Sequence, residues 1–326
     1  MRPGIEDGFA RSCYAAPDRI LVATALTDLE YLVPEAIAHA EAARAELVFV
    51  HAIVPGEPPA KATYYNPLKA DRDARLTLEV LSRHIRARNI ACSVAVRHGS
   101  PLEVLEEFLH ERASGRLMIG RRATAEGDTN VLGRTAAQLL LQTPIPVCAL
   151  PPQDMAATTG KPAVEKEKRD EVMRPGGNPG TILYPVGEQG AKPEGVRFAL
   201  DLAQYFQAEL IQLQISGTAN VAAAPSSVSC TEGLWPRMRR MTRTDGSVAG
   251  LLQAVRETSA SMLLVEAPPS LAGGATMPAT LAELAAQAPC PILTFPVLPM
   301  DHKHPDLRVL PGFHSSLSTG STVGVH

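Results

Sequence analysis

Ile20-Leu21-Val22-Ala23-Thr24 is a short apolar run that ends in a polar residue. An Ala-rich amphipathic stretch follows across Leu32 to Ala45, and Glu46-Leu47-Val48-Phe49-Val50-His51-Ala52-Ile53 is apolar again. The two runs have the length of buried strands and the stretch between them has helical spacing, so the segment reads strand, helix, strand. Working outward, a Pro-rich loop (Pro55, Pro58, Pro59) precedes Leu68 to Arg88, where Leu76, Leu78, Val80, Leu81 and Ile85 form a helical stripe opposite basic residues. A third strand over Ile90 to Arg97 leads into His98-Gly99-Ser100-Pro101. Ser100 is the expected N-cap, with proline at the first helical position and Glu103 in the first turn. That helix ends near Gly115, Arg116 to Gly120 is a fourth strand, Gly133 to Gln142 a helix, and Ile145 to Leu150 a fifth strand. Such alternation argues for a doubly wound parallel sheet covered on both faces.

The second half repeats the first. Ile20 through Ala45-Glu46-Leu47 has a counterpart in Ile182 through Ala208-Glu209-Leu210, and Thr143-Pro-Ile-Pro-Val-Cys-Ala-Leu-Pro151 matches Ala288-Pro-Cys-Pro-Ile-Leu-Thr-Phe-Pro296. Gly99-Ser100 pairs with Gly246-Ser247, and Leu117-Met-Ile119 with Leu263-Leu-Val265. Anchors in one order indicate internal duplication. The second copy is shorter: in place of the Leu68–Arg88 stripe it has Val228 to Arg243, with Trp235 and the basic residues Arg237, Arg239, Arg240 and Arg243. That stretch reads as a solvated basic strand, with an interaction patch as the sharper alternative.

Of 326 residues, 45% are hydrophobic, and the formal net charge is -3, which gives no overall attraction to nucleic acid or anionic membranes. Five scattered cysteines without a C-x-x-C pair argue against a disulfide scaffold or structural zinc site and suit a reducing compartment. No run approaches the ~20 apolar residues of a membrane span, and the acidic start is unlike a signal peptide. The expectation is a cytoplasmic protein with domains at 18–151 and 181–297, a linker at 152–180 and a flexible tail at 298–326. His302 and His304 in the tail lack the partners a metal site needs, so no metal is expected.

Ile20-Leu-Val-Ala-Thr24, His98-Gly-Ser-Pro101, Leu117-Met-Ile-Gly120, and Gly133-Arg-Thr-Ala136 running into Thr143-Pro-Ile-Pro-Val147 resemble the universal stress protein family in its tandem form. The resemblance implies two tandem, five-stranded, Rossmann-like domains of the adenine nucleotide alpha hydrolase-like kind, the second smaller and degenerate. Nucleotide-binding members carry an Asp after the first strand and G-x2-G-x9-G-[S/T] after the fourth, a phosphate cradle of glycines and helix N–H groups. Here the Asp position is Ala25, with Thr27 where a family serine often lies. Gly120 and Gly133 match the outer glycines, but Ala123 replaces the middle one and Arg134 the hydroxyl. The resemblance places the crevice between strands one and four, so the candidate nucleotide-contacting residues are Thr24, Thr27, Gly120, Arg121, Arg122, Gly133, Arg134 and Thr135. Arg121, Arg122 and Arg134 are expected to converge there as an anion site, opposed by Glu126 and Asp128; the plainer reading makes them a solvated loop.

In the second copy, Pro185-Val-Gly-Glu188, Glu266-Ala-Pro-Pro269 and Pro278 replace the cradle, and no nucleotide is expected. No G-x-S-x-G, H-E-x-x-H, complete G-x-G-x-x-G or Walker motif occurs, so no catalytic residue is assigned. Cys148 and Cys290 read as packing, and His51 and His98 as ordinary residues at strand ends. The expected function is a non-catalytic stress-response or regulatory protein with degraded nucleotide motifs. The alternatives are an ATP- or AMP-binding sensor through the first domain, and an enzyme cleaving an adenylate-type bond. Pro144, Pro146, Pro289 and Pro291 suit edge strands, which the resemblance pairs between domains. An intra-chain pseudo-dimer, further homodimerisation and an unidentified protein partner follow as expectations.

Overall fold

The computed structural model describes residues 17–54, 66–111, 115–121, 133–143, 145–152, 180–187, 190–215, 237–267 and 276–296. The first half runs β1 (Arg19–Ala23), α1 (Leu29–Ala43), β2 (Glu46–Ile53), α2 (Pro67–Arg86), β3 (Cys92–His98), α3 (Pro101–Glu111), β4 (Arg116–Gly120), α4 (Arg134–Gln142) and β5 (Val147–Leu150). The second runs β6 (Thr181–Val186), α5 (Pro193–Tyr205), β7 (Glu209–Ile215), β8 (Met238–Arg243), α6 (Val248–Thr258), β9 (Met262–Ala267), α7 (Thr276–Gln287) and β10 (Ile292–Pro296).

The ten strands among the described residues lie in one sheet, ordered β3-β2-β1-β4-β5-β10-β9-β6-β7-β8. The order reads alike from either edge. Each half is a parallel five-stranded run, and the halves meet where β5 and β10 pair antiparallel, Ile292 opposite Ala149 and Thr294 opposite Val147. The proline-bearing strands therefore sit at the centre of the sheet, where their edges cover each other. Pro146 and Pro291 fit because their carbonyls accept from the Leu117 and Leu263 N–H groups at 2.9 Å each.

Helices cover both faces. α1, α2 and α5 pack on one side around Phe49, Leu78, Met118, Tyr184 and Phe295; α3, α4, α6 and α7 pack on the other around Leu105, Leu140, Leu252 and Leu263. Both layers run across the seam between the halves, so the packing is continuous.

Local chemistry explains many boundaries. Ser100 and Glu103 form a capping box at α3, each accepting from the other's N–H, at 3.2 and 3.3 Å. Ser247 caps α6 by accepting from the Gly250 N–H at 3.1 Å. The duplication reappears in the turns: Arg44 and Gln207 both have φ 51 and both precede Ala-Glu-Leu. In each copy the alanine N–H then bonds back into the helix, Ala45 to Ala40 and Ala208 to Ala203. α1 starts at Leu29, earlier than the apolar stripe suggested, because the Asp28 carbonyl accepts from the Leu32 N–H at 3.0 Å and opens the helix there. β3 starts at Cys92, two residues later than expected. The basic stretch of the second copy holds β8, whereas Trp235, most of the linker and the tail lie outside the described residues.

Candidate ligand crevice between β1 and β4

β1 pairs with β2 on one side and with β4 on the other, so the strand order reverses at the β1–β4 boundary. In open α/β sheets this is where a ligand crevice opens at the carboxyl ends of the strands. Here, among the described residues, the side chains of Asp28 and Tyr31 stand between the two strand ends.

The turn after β1 closes on Asp28. The Thr24 hydroxyl donates to Asp28 Oδ1 at 2.5 Å, and the Ala25 N–H donates to both carboxylate oxygens, at 3.1 and 3.3 Å. The Leu26 N–H donates to Thr24 Oγ1 at 2.9 Å, which holds Leu26 at φ 68. His51 braces the turn from β2, its Nδ1–H donating to the Thr24 carbonyl at 2.9 Å. Burial raises the Asp28 pKa above the ordinary carboxyl value, although the bonds from Thr24 and Ala25 oppose it.

Tyr31, one turn into α1, donates its hydroxyl to the Arg121 carbonyl at 3.3 Å. Burial, with the Asp28 charge adding to it, pushes the Tyr31 pKa up, so the phenol stays neutral. Below both groups lies Gly120, where a Cβ would come within 2.6 Å of the Tyr31 hydroxyl and 2.8 Å of Asp28 Oδ2. Gly120, at the first glycine of the family pattern, makes room for Asp28 and Tyr31.

Arg121 faces elsewhere. It is 3% exposed, and its guanidinium donates to the carbonyls of Ala285, Ala288 and Cys290, the last two at 2.7 and 3.4 Å. These groups belong to the C-terminal turn of α7 and the chain just after it, where orphan carbonyls favour a cation. Burial lowers the Arg121 pKa to about 10, which leaves it charged at neutral pH. The sequence placed Arg121 in an anion site; the fold uses it as a cationic cap that joins the two halves.

The other expected residues are more dispersed. Thr27 is exposed in the turn before α1. Gly133 is the N-cap of α4, with φ -59 and ψ 142, and Thr135 is half-buried in the first turn. Arg134 begins α4, but its side chain is not described, and Arg122 and Ala123 lie outside the described residues. The crevice brings together Thr24, Gly120 and the main chain of Arg121, with Asp28 and Tyr31 between them.

The second half fills the equivalent space from the opposite side. Counted from the pairs Ile20–Arg116 and Ile182–Met262, Glu266 stands where Gly120 stands. The Tyr184 hydroxyl donates to Glu266 Oε1. Here the small residue is on the helix: a Cβ on Gly195 of α5 would lie 2.5 Å from that same oxygen. The first half puts bulk on the helix and glycine on the strand; the second reverses the arrangement.

Asp28 and Tyr31 escaped the sequence reading. An Asp directly before a helix reads as a cap, and only its distance from Gly120 reveals another role. α1 carries one more buried polar residue, His39, whose Nδ1 accepts from Arg116 Nη1 at 2.8 Å at the opposite end of β4. Among the described residues no cluster of three or more His, Cys, Asp or Glu could hold a metal, and no helix is long and apolar enough to cross a membrane.

Asp28 gives the crevice a pH signature. A carboxyl whose pKa rises on folding adds stability that is present below the unfolded pKa and is lost as pH rises through the folded one. Asp28→Asn is expected to remove that loss on the alkaline side of the ordinary carboxyl range; urea midpoints of both proteins across pH check it, and parallel curves would exclude this role for Asp28.

Residues 17–151 match the Universal stress protein family. No curated protein matches the sequence. Among solved structures, the chain is similar to a universal stress protein from Archaeoglobus fulgidus DSM 4304 at 15% identity and a TM-score of 0.61, covering 87% of this chain and 98% of that one. It is also similar to a functionally unknown protein from Pseudomonas aeruginosa PAO1, at 13% identity and a TM-score of 0.54, covering 87% and 94%. At these identities the structural likeness speaks for the fold alone. Together with the strand order, it makes residues 17–151 a Rossmann-like α/β domain, similar to the universal stress protein family whose model they match.

Proposed function

We propose that the chain is a non-catalytic regulatory protein of stress-response type whose nucleotide crevice is closed by its own side chains. The observation that carries this reading is the filling of the space above Gly120 by Asp28 and Tyr31. An adenylate phosphate there would displace a buried carboxyl, and the guanidinium of Arg121 is committed to the carbonyls of the α7 end. In this reading residues 181–297 are a degenerate second copy, and the β5–β10 pairing supports an intra-chain pseudo-dimer that acts in the cytoplasm. Glu266 at the place of Gly120 adds a negative group where a phosphate would sit, which disfavours an anion there.

Calorimetric titration of the full chain with ATP, and separately with AMP, tests the reading. The expected result is heat of dilution only, and no ATP turnover above a denatured control. A micromolar dissociation constant would support the sensor reading instead, and turnover the enzyme.

A further inference from the structure

The two edges of the sheet are finished differently. The Leu47 N–H donates to the Ala91 carbonyl and the Gly99 N–H to the Ile53 carbonyl, a parity that turns the main-chain groups of Cys92, Val94 and Val96 outward from β3. Side chains cover two of those three carbonyls. Cys92 accepts from Ser82 Oγ at 3.4 Å and from Arg86 Nε at 2.8 Å, and Val96 accepts from Arg75 at 3.5 Å and Arg97 at 3.3 Å. The edge is blunted as proteins blunt edges that must not pair.

β8, at the other end, has no such cover among the described residues. The Leu210 N–H donates to the Arg237 carbonyl, so the N–H and C=O of Met238, Arg240 and Thr242 face outward. Among the described residues no side chain or strand takes these groups. The strand is also charged: of its arginines, Arg239 faces Glu209 at 3.6 Å and Arg243 pairs with Glu257, whereas Arg240 donates to the neutral amide of Gln212 at 3.2 Å. Two copies of β8 side by side would set arginine against arginine, an unfavourable cross-strand pairing. An acidic strand would meet opposite charge and a complete row of main-chain partners.

We propose that the outer edge of β8 is a strand-addition site for an extended acidic segment of another protein. Main-chain bonds to Met238, Arg240 and Thr242 supply the register, and acidic side chains at alternate positions, on the face of Arg240, supply the selectivity. This goes beyond the reading of the crevice and stands whether or not a nucleotide binds there.

The test uses the full chain and a labelled peptide of alternating glutamate and valine, read by fluorescence anisotropy. Binding is expected, and it is expected to weaken at least tenfold for the lysine–valine peptide and for the same acidic peptide N-methylated at alternate residues. Thr242→Pro removes one outward N–H, alters no charge and leaves the bonds to β7, because proline is tolerated on an edge strand; it too is expected to weaken binding at least tenfold. Failure of the acidic peptide to bind at about 1 mM, the weak limit of useful affinity, would overturn the proposal. Equal binding of the N-methylated peptide would do the same, since attraction would then be charge alone.

Discussion

Replacing Arg121 by methionine is expected to destabilise the protein by about 3–4 kcal/mol. Methionine keeps the apolar stem but removes the donors that serve Ala285, Ala288 and Cys290, and those carbonyls sit beneath an arginine that is itself 3% exposed. An unsatisfied buried acceptor costs about 1–3 kcal/mol, and hydrogen bonds to a charged donor lie at the upper end of the net range. The loss is local as well as global: amide exchange in the last turn of α7 is expected to accelerate more than in α2, which packs far from the seam. Arg121→Lys is expected to fall between wild type and methionine, because one ammonium keeps the charge but loses the planar fork. A urea midpoint for Arg121→Met equal to wild type would show that the guanidinium is dispensable to the fold.

Acid is expected to weaken the fold through His39. The ring is completely buried between Arg116, whose Nη1 donates to Nδ1 at 2.8 Å, and Phe206, whose ring meets it edge-on at a centroid distance of 4.7 Å. Because Nδ1 accepts, Nε2 carries the proton, and a second proton would turn the acceptor into a donor facing a guanidinium. Burial, and then the Arg116 charge, hold the His39 pKa well below 6.5. The folded state thus refuses a proton that the unfolded chain takes up. Stability from this group is complete above the unfolded pKa and falls as the pH drops below it, at about 1.4 kcal/mol per pH unit. Between pH 7.5 and 5.5 the expected loss is therefore about 1.4 kcal/mol, with the slope continuing until the folded pKa is reached. His39→Gln keeps an acceptor for Arg116 and does not titrate, so its urea midpoints are expected to lose that slope. A variant as acid-sensitive as wild type would place the titration elsewhere.

The signs of the two buried groups separate them. Asp28 gives up stability as pH rises above the ordinary carboxyl range, whereas His39 gives it up as pH falls below about 6.5. Single variants at each position therefore change different arms of one stability profile.

Arg116 shows why these groups stayed hidden in the sequence. In Arg116-Leu117-Met118-Ile119-Gly120 the arginine opens a strand and reads as a polar flank, yet it is fully buried against His39 of α1. Burial lowers its pKa to about 10, and it remains a cation in the interior. Whether a strand-end arginine faces water or a helix depends on what packs over that end, which no local pattern records.

What the sequence determined by itself is the part written in short-range chemistry. Alternation of apolar runs and helical stripes set the order of elements; β2 and β4 have the bounds that their residues announced, at Glu46–Ile53 and Arg116–Gly120. Ser100 and Glu103 specify their cap through a three-residue spacing, and the repeated Ala-Glu-Leu motif carries the turn geometry at both Arg44 and Gln207. The family motifs were equally legible, including the glycines at 120 and 133 and the missing polar partners at 25 and 134.

The tertiary structure alone decided what stands over Gly120. Glycine at 120 allows a ligand's phosphate or the protein's own Tyr31 to approach, and the letter is the same in both cases. Arg121 has the same reach towards a loop as towards the carbonyls of Ala285, 164 residues away, and the destination follows from the antiparallel meeting of β5 and β10. Local patterns fix backbone shape because hydrogen bonds and burial period act over a few residues. Side-chain destinations are fixed by contacts that exist only once the two halves have packed.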